Sequence, residues 1–146
     1  MDMKAFQILL ADDSEDDCFL FEEALSEIPI PSKLKVVHDG EELMNLIAKK
    51  TTTLPDVLFL DLNMPRKNGY ECLEEIKQSA KLKKLPVVVI STSNDDRDVN
   101  MLYKNGDSHY IRKPNEFGTL VKRIREALNF VIDANGKKSA KRNFKL

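Results

Sequence analysis

Five short β-branched and aliphatic runs alternate with five stretches whose apolar residues recur every three or four positions. That alternation restricts the fold more than any other feature of the chain. The runs are 6–11, 35–38, 57–62, 87–91 and 108–112. The first, third and fourth are nearly continuous in apolar residues, as strands buried on both faces should be. Between them, Phe21, Leu25 and Ile28 give one helical stripe and Leu43, Leu46 and Ile47 a second. Leu73 and Ile76 mark a third helix over 70–80, Val99 and Leu102 a fourth over 94–104, and Leu120, Ile124, Leu128 and Val131 a fifth over 116–132. Ser14 is placed to cap the first helix, with Glu15, Asp16 and Asp17 in the turn where the helix dipole favours negative charge. Repeated β-α units require right-handed crossovers and a parallel sheet covered on both sides. The expected fold is therefore α/β: a doubly wound, five-stranded parallel sheet in the flavodoxin-like order 2-1-3-4-5, with five helices.

The chain has 146 residues, the length of one domain. Residues 1–132 are expected to form it, and 133–146 a basic, disordered extension beyond the turn signal Asn135-Gly136. Charge is unevenly spread. Twelve Asp/Glu face three Lys through Glu42, whereas 133–146 holds five Lys/Arg and one Asp. Solvated surface is the plain reading of both ends; contact of the tail with an acidic partner or nucleic acid is the sharper one. The longest apolar stretch, 85–90, falls far short of the roughly 18–20 residues that span a bilayer. No secretory signal is evident, and Cys18 and Cys72 lie in separate helices without a CxxC pair. A cytoplasmic protein with reduced thiols is expected. No GxxxxGK[ST] or GxGxxG run argues for a nucleotide site. His38 and His109 have no ligand partner at helical spacing, so packed or solvent-facing histidines are expected.

In the 2-1-3-4-5 order, ligands bind beyond the carboxyl ends of the strands, at the switch between strands one and three. Strand one runs into Asp12-Asp13, strand three into Asp61, strand four ends at Ser91-Thr92, and strand five at Lys113-Pro114. A single Asp at a strand end is usually a turn former or cap, and a lone Lys before Pro is ordinarily surface. Gathered at one rim, the three carboxylates would repel one another and raise one another's pKa values. A hard divalent cation relieves that repulsion, and an all-oxygen, partly hydrated site suits Mg2+.

Leu10-Ala11-Asp12-Asp13, the run Asp61-Leu62-Asn63-Met64-Pro65-Arg66-Lys67-Asn68-Gly69, and Tyr110-Ile111-Arg112-Lys113-Pro114 resemble the three signature regions of response-regulator receiver domains. The resemblance spans roughly 6–130. The composition around 12–17 and the lack of a recognisable output domain look similar to single-domain regulators that serve bacterial phytochromes. The resemblance implies that Asp61 is the phosphoacceptor, receiving a phosphoryl group from a sensor histidine kinase, with a phytochrome-linked kinase as the candidate partner. It implies Mg2+ held by Asp13, Asp61 and the backbone carbonyl of Asn63, with Asp12 acting through water. Lys113 would meet a phosphoryl oxygen, aimed by a cis Lys113–Pro114 peptide. Ser91 and Thr92 are adjacent, and family spacing gives the switch hydroxyl to Ser91, with Tyr110 the aromatic that turns inward. Asn63 and Ser93 match positions that tune dephosphorylation. Gly69 is expected to end the loop where only glycine is comfortable. Such a protein is not an enzyme acting on other substrates. It catalyses its own phosphorylation and dephosphorylation, and switches a homodimer or partner interface through 94–104, strand five and the last helix. The downstream target is not indicated. Two other readings compete. One is a phosphorylation-independent receiver-like adaptor. The other is an Asp-nucleophile phosphatase of the haloacid-dehalogenase type, which typically requires a second Asp where Asn63 stands.

Overall fold

A computed structural model describes the backbone of residues 5–49, 53–92 and 109–136. The expected helix over 94–104, Ser93 and the tail 137–146 lie outside these residues. Strands β1 (Phe6–Ala11), β2 (Ser32–Val37), β3 (Val57–Leu60), β4 (Val87–Ser91) and β5 (His109–Arg112) form one sheet in the order β2-β1-β3-β4-β5. Every pairing is parallel. Helices α1 (Glu15–Ser26), α2 (Gly40–Ile47), α3 (Gly69–Gln78) and α4 (Phe117–Gly136) cover it. Among the described residues no helix is long and apolar enough to cross a membrane.

Alternation along the strands divides the core in two. Ile8 and Leu10 of β1, Phe59 of β3, Val88 and Ile90 of β4 and Ile111 of β5 pack with Phe21 and Leu25 of α1 and Ile124 and Leu128 of α4. Phe21 meets Phe59 edge to face, with ring centroids 4.9 Å apart, a favoured aromatic geometry. On the opposite face Leu9, Leu58, Leu60 and Val89 pack with Leu43 and Ile47 of α2 and Leu73 and Ile76 of α3. The near-continuous apolar runs of β1, β3 and β4 are the consequence of burial on both faces.

Several boundaries depart from expectation by one to four residues, and three of them have a clear physical cause or consequence. Strand β2 starts at Ser32 rather than 35, pairing Ser32 with Phe6. It is an edge strand in which exposed Lys33 and Lys35 alternate with half-buried neighbours, so its apolar signal is diluted. Strand β3 ends at Leu60 instead of 62, because Asp61 turns its carboxylate back to accept the Asn63 N–H at 3.3 Å. Leu62 stays in the core at 1% exposure. Helix α4 continues to Gly136, four residues past the expected end at 132.

Candidate functional site

The register brings the chemistry to one rim. Ala11 pairs with Leu60, so Asp12 and Asp61 leave adjacent strands side by side. The Asp61 N–H donates to the Ala11 carbonyl at 2.9 Å, which fixes that step. Across the sheet Ser91 pairs with Arg112, and the Lys113 N–H donates to the Ser91 carbonyl at 2.8 Å. Asp12 and Asp61 are buried and Asp13 is exposed, yet carboxylate oxygens of all three lie within 4.8 Å of one another. The acidic cluster expected from the sequence is present as one group.

Asp12 is held on both oxygens. Its Oδ1 accepts the Ser14 N–H at 3.0 Å, and its Oδ2 accepts Lys113 Nζ at 2.8 Å. Lys113 Nζ also donates to Asp17 Oδ2 at 2.8 Å and lies 3.8 Å from Asp61 Oδ2. Burial opposes the lysine's charge, but its bonds to Asp12 and Asp17 more than compensate, and its pKa is raised. Asp61 is pushed up from 3.8 to about 7. Burial is the main cause; Lys113 opposes it, Asp12 adds to it, and the Asn63 N–H opposes it. A carboxylate cluster with the Lys113 ammonium at its edge has the character of a hard-cation site. Its all-oxygen donor set fits Mg2+, and Asp12, Asp13 and Asp61 are the side chains that would hold it.

The remaining expected residues lie around this centre. Ser91 is fully buried at the end of β4, whereas Thr92 is exposed. Tyr110 is half-buried and packs against the core on the α2–α3 face. Asn63 is exposed, and its N–H contacts Asp61. His38 Nδ1 lies at hydrogen-bond distance, 3.2 Å, from the Asp12 carbonyl oxygen at the rim. His109 belongs to β5, and its side chain is not described. Cys18 and Cys72 are free and buried, and burial raises their thiols to about 11 and 12. Both are therefore thiols rather than thiolates near neutral pH.

Two expectations need correction. No peptide bond among the described residues is cis, so Lys113–Pro114 is trans, the isomer X–Pro bonds prefer by about 0.5–1 kcal/mol. Lys113 is aimed here by the Asp12 and Asp17 carboxylates instead. Gly69 does not serve a left-handed turn. It is the first residue of α3, and the residue with positive φ in this loop is Arg66, at 68°. Gly69 is needed for space: a Cβ there would stand 2.3 Å from the Asp61 carbonyl oxygen.

Asp17 is the site residue that sequence reasoning missed, having been read only as a helix-dipole carboxylate. Helix α1 begins at the Ser14 cap, whose Oγ accepts the Asp17 N–H at 3.2 Å, and this turn carries the Asp17 side chain to Lys113. At the other border of the loop, Asn68 and Glu71 form a reciprocal capping box at the start of α3. Asn68→Ala is expected to cost about 1 kcal/mol, read as a lower denaturant midpoint, with Asn68→Asp close to wild type.

The comparisons agree with this geometry. Residues 8–125 match the model of the response regulator receiver domain. Response regulator Rcp1 of Synechocystis is 34% identical over 130 residues, covering 86% of this chain and 88% of that protein. The phosphorylated cyanobacterial phytochrome response regulator RcpA superposes with a TM-score of 0.80 at 32% identity, covering 90% of this chain and 96% of that one. The Mn2+-bound form of Rcp1 gives 0.75 at 31% identity, covering 94% and 99%. The match over most of its length, together with the acidic cluster and Lys113 at the strand ends, establishes that this chain belongs to the response regulator receiver domain family.

Proposed function

We propose that this response regulator accepts a phosphoryl group on Asp61 from a phosphohistidine of a sensor histidine kinase. The observation that carries the reading is the buried Asp61 carboxylate, grouped with Asp12 and Asp13 and 3.8 Å from Lys113 Nζ. In the transfer, an Asp61 oxygen forms a bond to phosphorus as the phosphorus–nitrogen bond breaks, and the imidazole nitrogen keeps the electron pair. Mg2+ bound by Asp12, Asp13, Asp61 and the Asn63 carbonyl would offset the repulsion between the nucleophile and the phosphoryl oxygens. Lys113 meets the added negative charge as a point charge. Ser91 and Tyr110, on neighbouring strands, relay the change to the face formed by β5 and α4. There it alters a homodimer or partner interface. The relatives support a phytochrome-linked kinase as the donor, since RcpA is a phytochrome response regulator and was seen phosphorylated. The Mn2+-bound form of Rcp1 supports a divalent cation. Residues 1–132 plus the end of α4 act as the receiver unit, in the cytoplasm, and its catalysis is confined to its own phosphorylation and dephosphorylation.

Intact-mass measurement after incubation with acetyl phosphate tests this. One phosphoryl adduct that requires Mg2+ and disappears in Asp61→Asn is the expected result. An unmodified wild type that also fails to bind Mg2+ would replace the reading with a phosphorylation-independent adaptor.

A further inference from the structure

Lys113 is shared unequally among three carboxylates. Its ammonium lies 2.8 Å from both Asp12 and Asp17 but 3.8 Å from Asp61, so two of its three donors are engaged by residues other than the phosphoacceptor. Of those two competitors, only Asp12 belongs to the carboxylate cluster that would hold a cation. A cation there would compete with Lys113 for the Asp12 carboxylate. Asp17 is outside the cluster and keeps its hold on Lys113. Its position is set independently, by the capped first turn of α1, where the Asp17 N–H is bound to Ser14 Oγ. The Lys113 side chain is 13% exposed and that of Asp17 36%, so the pair is only partly screened by water.

We infer that Asp17 is a positioning residue that competes with the phosphoryl group for Lys113, holding the ammonium toward α1 and weakening its grip on a modified Asp61. This rests on the phosphoacceptor reading above. A neutral residue at 17 leaves Lys113 free to turn fully toward Asp61. Because the competition runs through the ammonium, it vanishes when Lys113 is absent. Release of Asp17 on modification would also tie the state of Asp61 to the first turn of α1.

The probe is beryllofluoride, an anion that mimics a phosphoryl group on a carboxylate, titrated at saturating Mg2+ and followed by fluorine NMR. Asp17→Asn is expected to tighten binding roughly three- to fivefold, the scale of a partly exposed ion pair. The same change in a Lys113→Ala background is expected to give only a small fraction of that gain, the part due to Asp17's own charge. Equal affinity of Asp17→Asn and wild type overturns the inference, as does an identical gain in both backgrounds, which would mean that Asp17 acts by its own charge. Thermal unfolding without metal gives an independent readout. Asp17→Asn should lower the melting temperature when Lys113 is present, by loss of the pair, and raise it in Lys113→Ala, by relief of repulsion. A shift of the same sign in both backgrounds also overturns it. Asp17→Ser repeats both measurements as a second neutral variant. Failure of the wild type to bind beryllofluoride at all would instead defeat the phosphoacceptor reading itself.

Discussion

Without metal at pH 8, Asp61→Asn is expected to melt at a higher temperature than wild type, and to have lost most of the wild type's pH dependence of stability. The cause is the burial of a carboxylate at 4% exposure beside Asp12, which Lys113 only partly offsets. Folding raises the Asp61 pKa from 3.8 to about 7, so between these values the folded chain holds a proton that the unfolded chain has released. Stability then falls as pH rises. The penalty is absent below pH 3.8, grows through the interval, and is complete above pH 7. By pH 8 it amounts to a few kcal/mol, more than the roughly 1 kcal/mol that an imperfectly bonded amide costs in place of the carboxylate. A cation that binds the folded cluster should recover the difference. Mg2+ at a hundred times its dissociation constant adds about 2.7 kcal/mol to a protein that binds it only when folded. Wild type at pH 8 should gain most and Asp61→Asn much less, and at pH 5 the gain should shrink because the cation must displace the Asp61 proton. Melting curves across pH 4–8, with and without Mg2+, decide it. A metal-free wild type more stable than Asp61→Asn at pH 8 would show that Lys113 alone neutralises the cluster.

Which features were legible in the sequence follows from how local their causes are. The parallel sheet could be read because β1, β3 and β4 are buried on both faces, and such burial requires unbroken apolar runs such as Val57–Leu60. The site could be read because the fold places strand ends together, so Asp12, Asp61 and Lys113 needed only their positions after a run to be grouped. The cap at Ser14 is equally local and was read; those at Asp39 and Asn68 are just as local in cause and emerged only in the structure. The partner of Asp17 was hidden because Lys113 is 96 residues away and reaches it only through a side-chain rotamer. The start of β2 was hidden because an edge strand needs only one buried face. The positive φ of Arg66 carried no residue-type signal. Glycine, asparagine and aspartate are the usual occupants, and Gly69 stood close enough to draw that role to itself.

The glycines show the same distinction, and it has a large measurable consequence. Gly40 and Gly69 both border the loop after Asp61, and neither has a φ that excludes a side chain. They are required because backbone passes where a Cβ would go. At Gly69 the added carbon would lie 2.3 Å from the Asp61 carbonyl oxygen and 2.6 Å from Leu62 Cα; at Gly40, 2.0 Å from the Lys67 carbonyl oxygen. These are clashes with backbone, which no rotamer change relieves, and one of them is with Asp61 itself. Overpacking of this kind costs about 1–3 kcal/mol and sometimes more. Gly69→Ala is therefore expected to lower stability by at least that amount. It should also weaken Mg2+ binding and adduct formation on Asp61, because Asp61 and Leu62 must move to admit the methyl group. Gly118 supplies the control. It is exposed in the first turn of α4, and a Cβ there meets nothing within 4 Å. Gly118→Ala should leave the site untouched and stabilise the helix by up to about 1 kcal/mol. Urea unfolding of the two variants, with Mg2+ titrations alongside, separates space from conformation. A Gly69→Ala protein with wild-type midpoint and metal affinity would mean that the loop after Asp61 shifts freely, and that the close approach at Gly69 does not position Asp61.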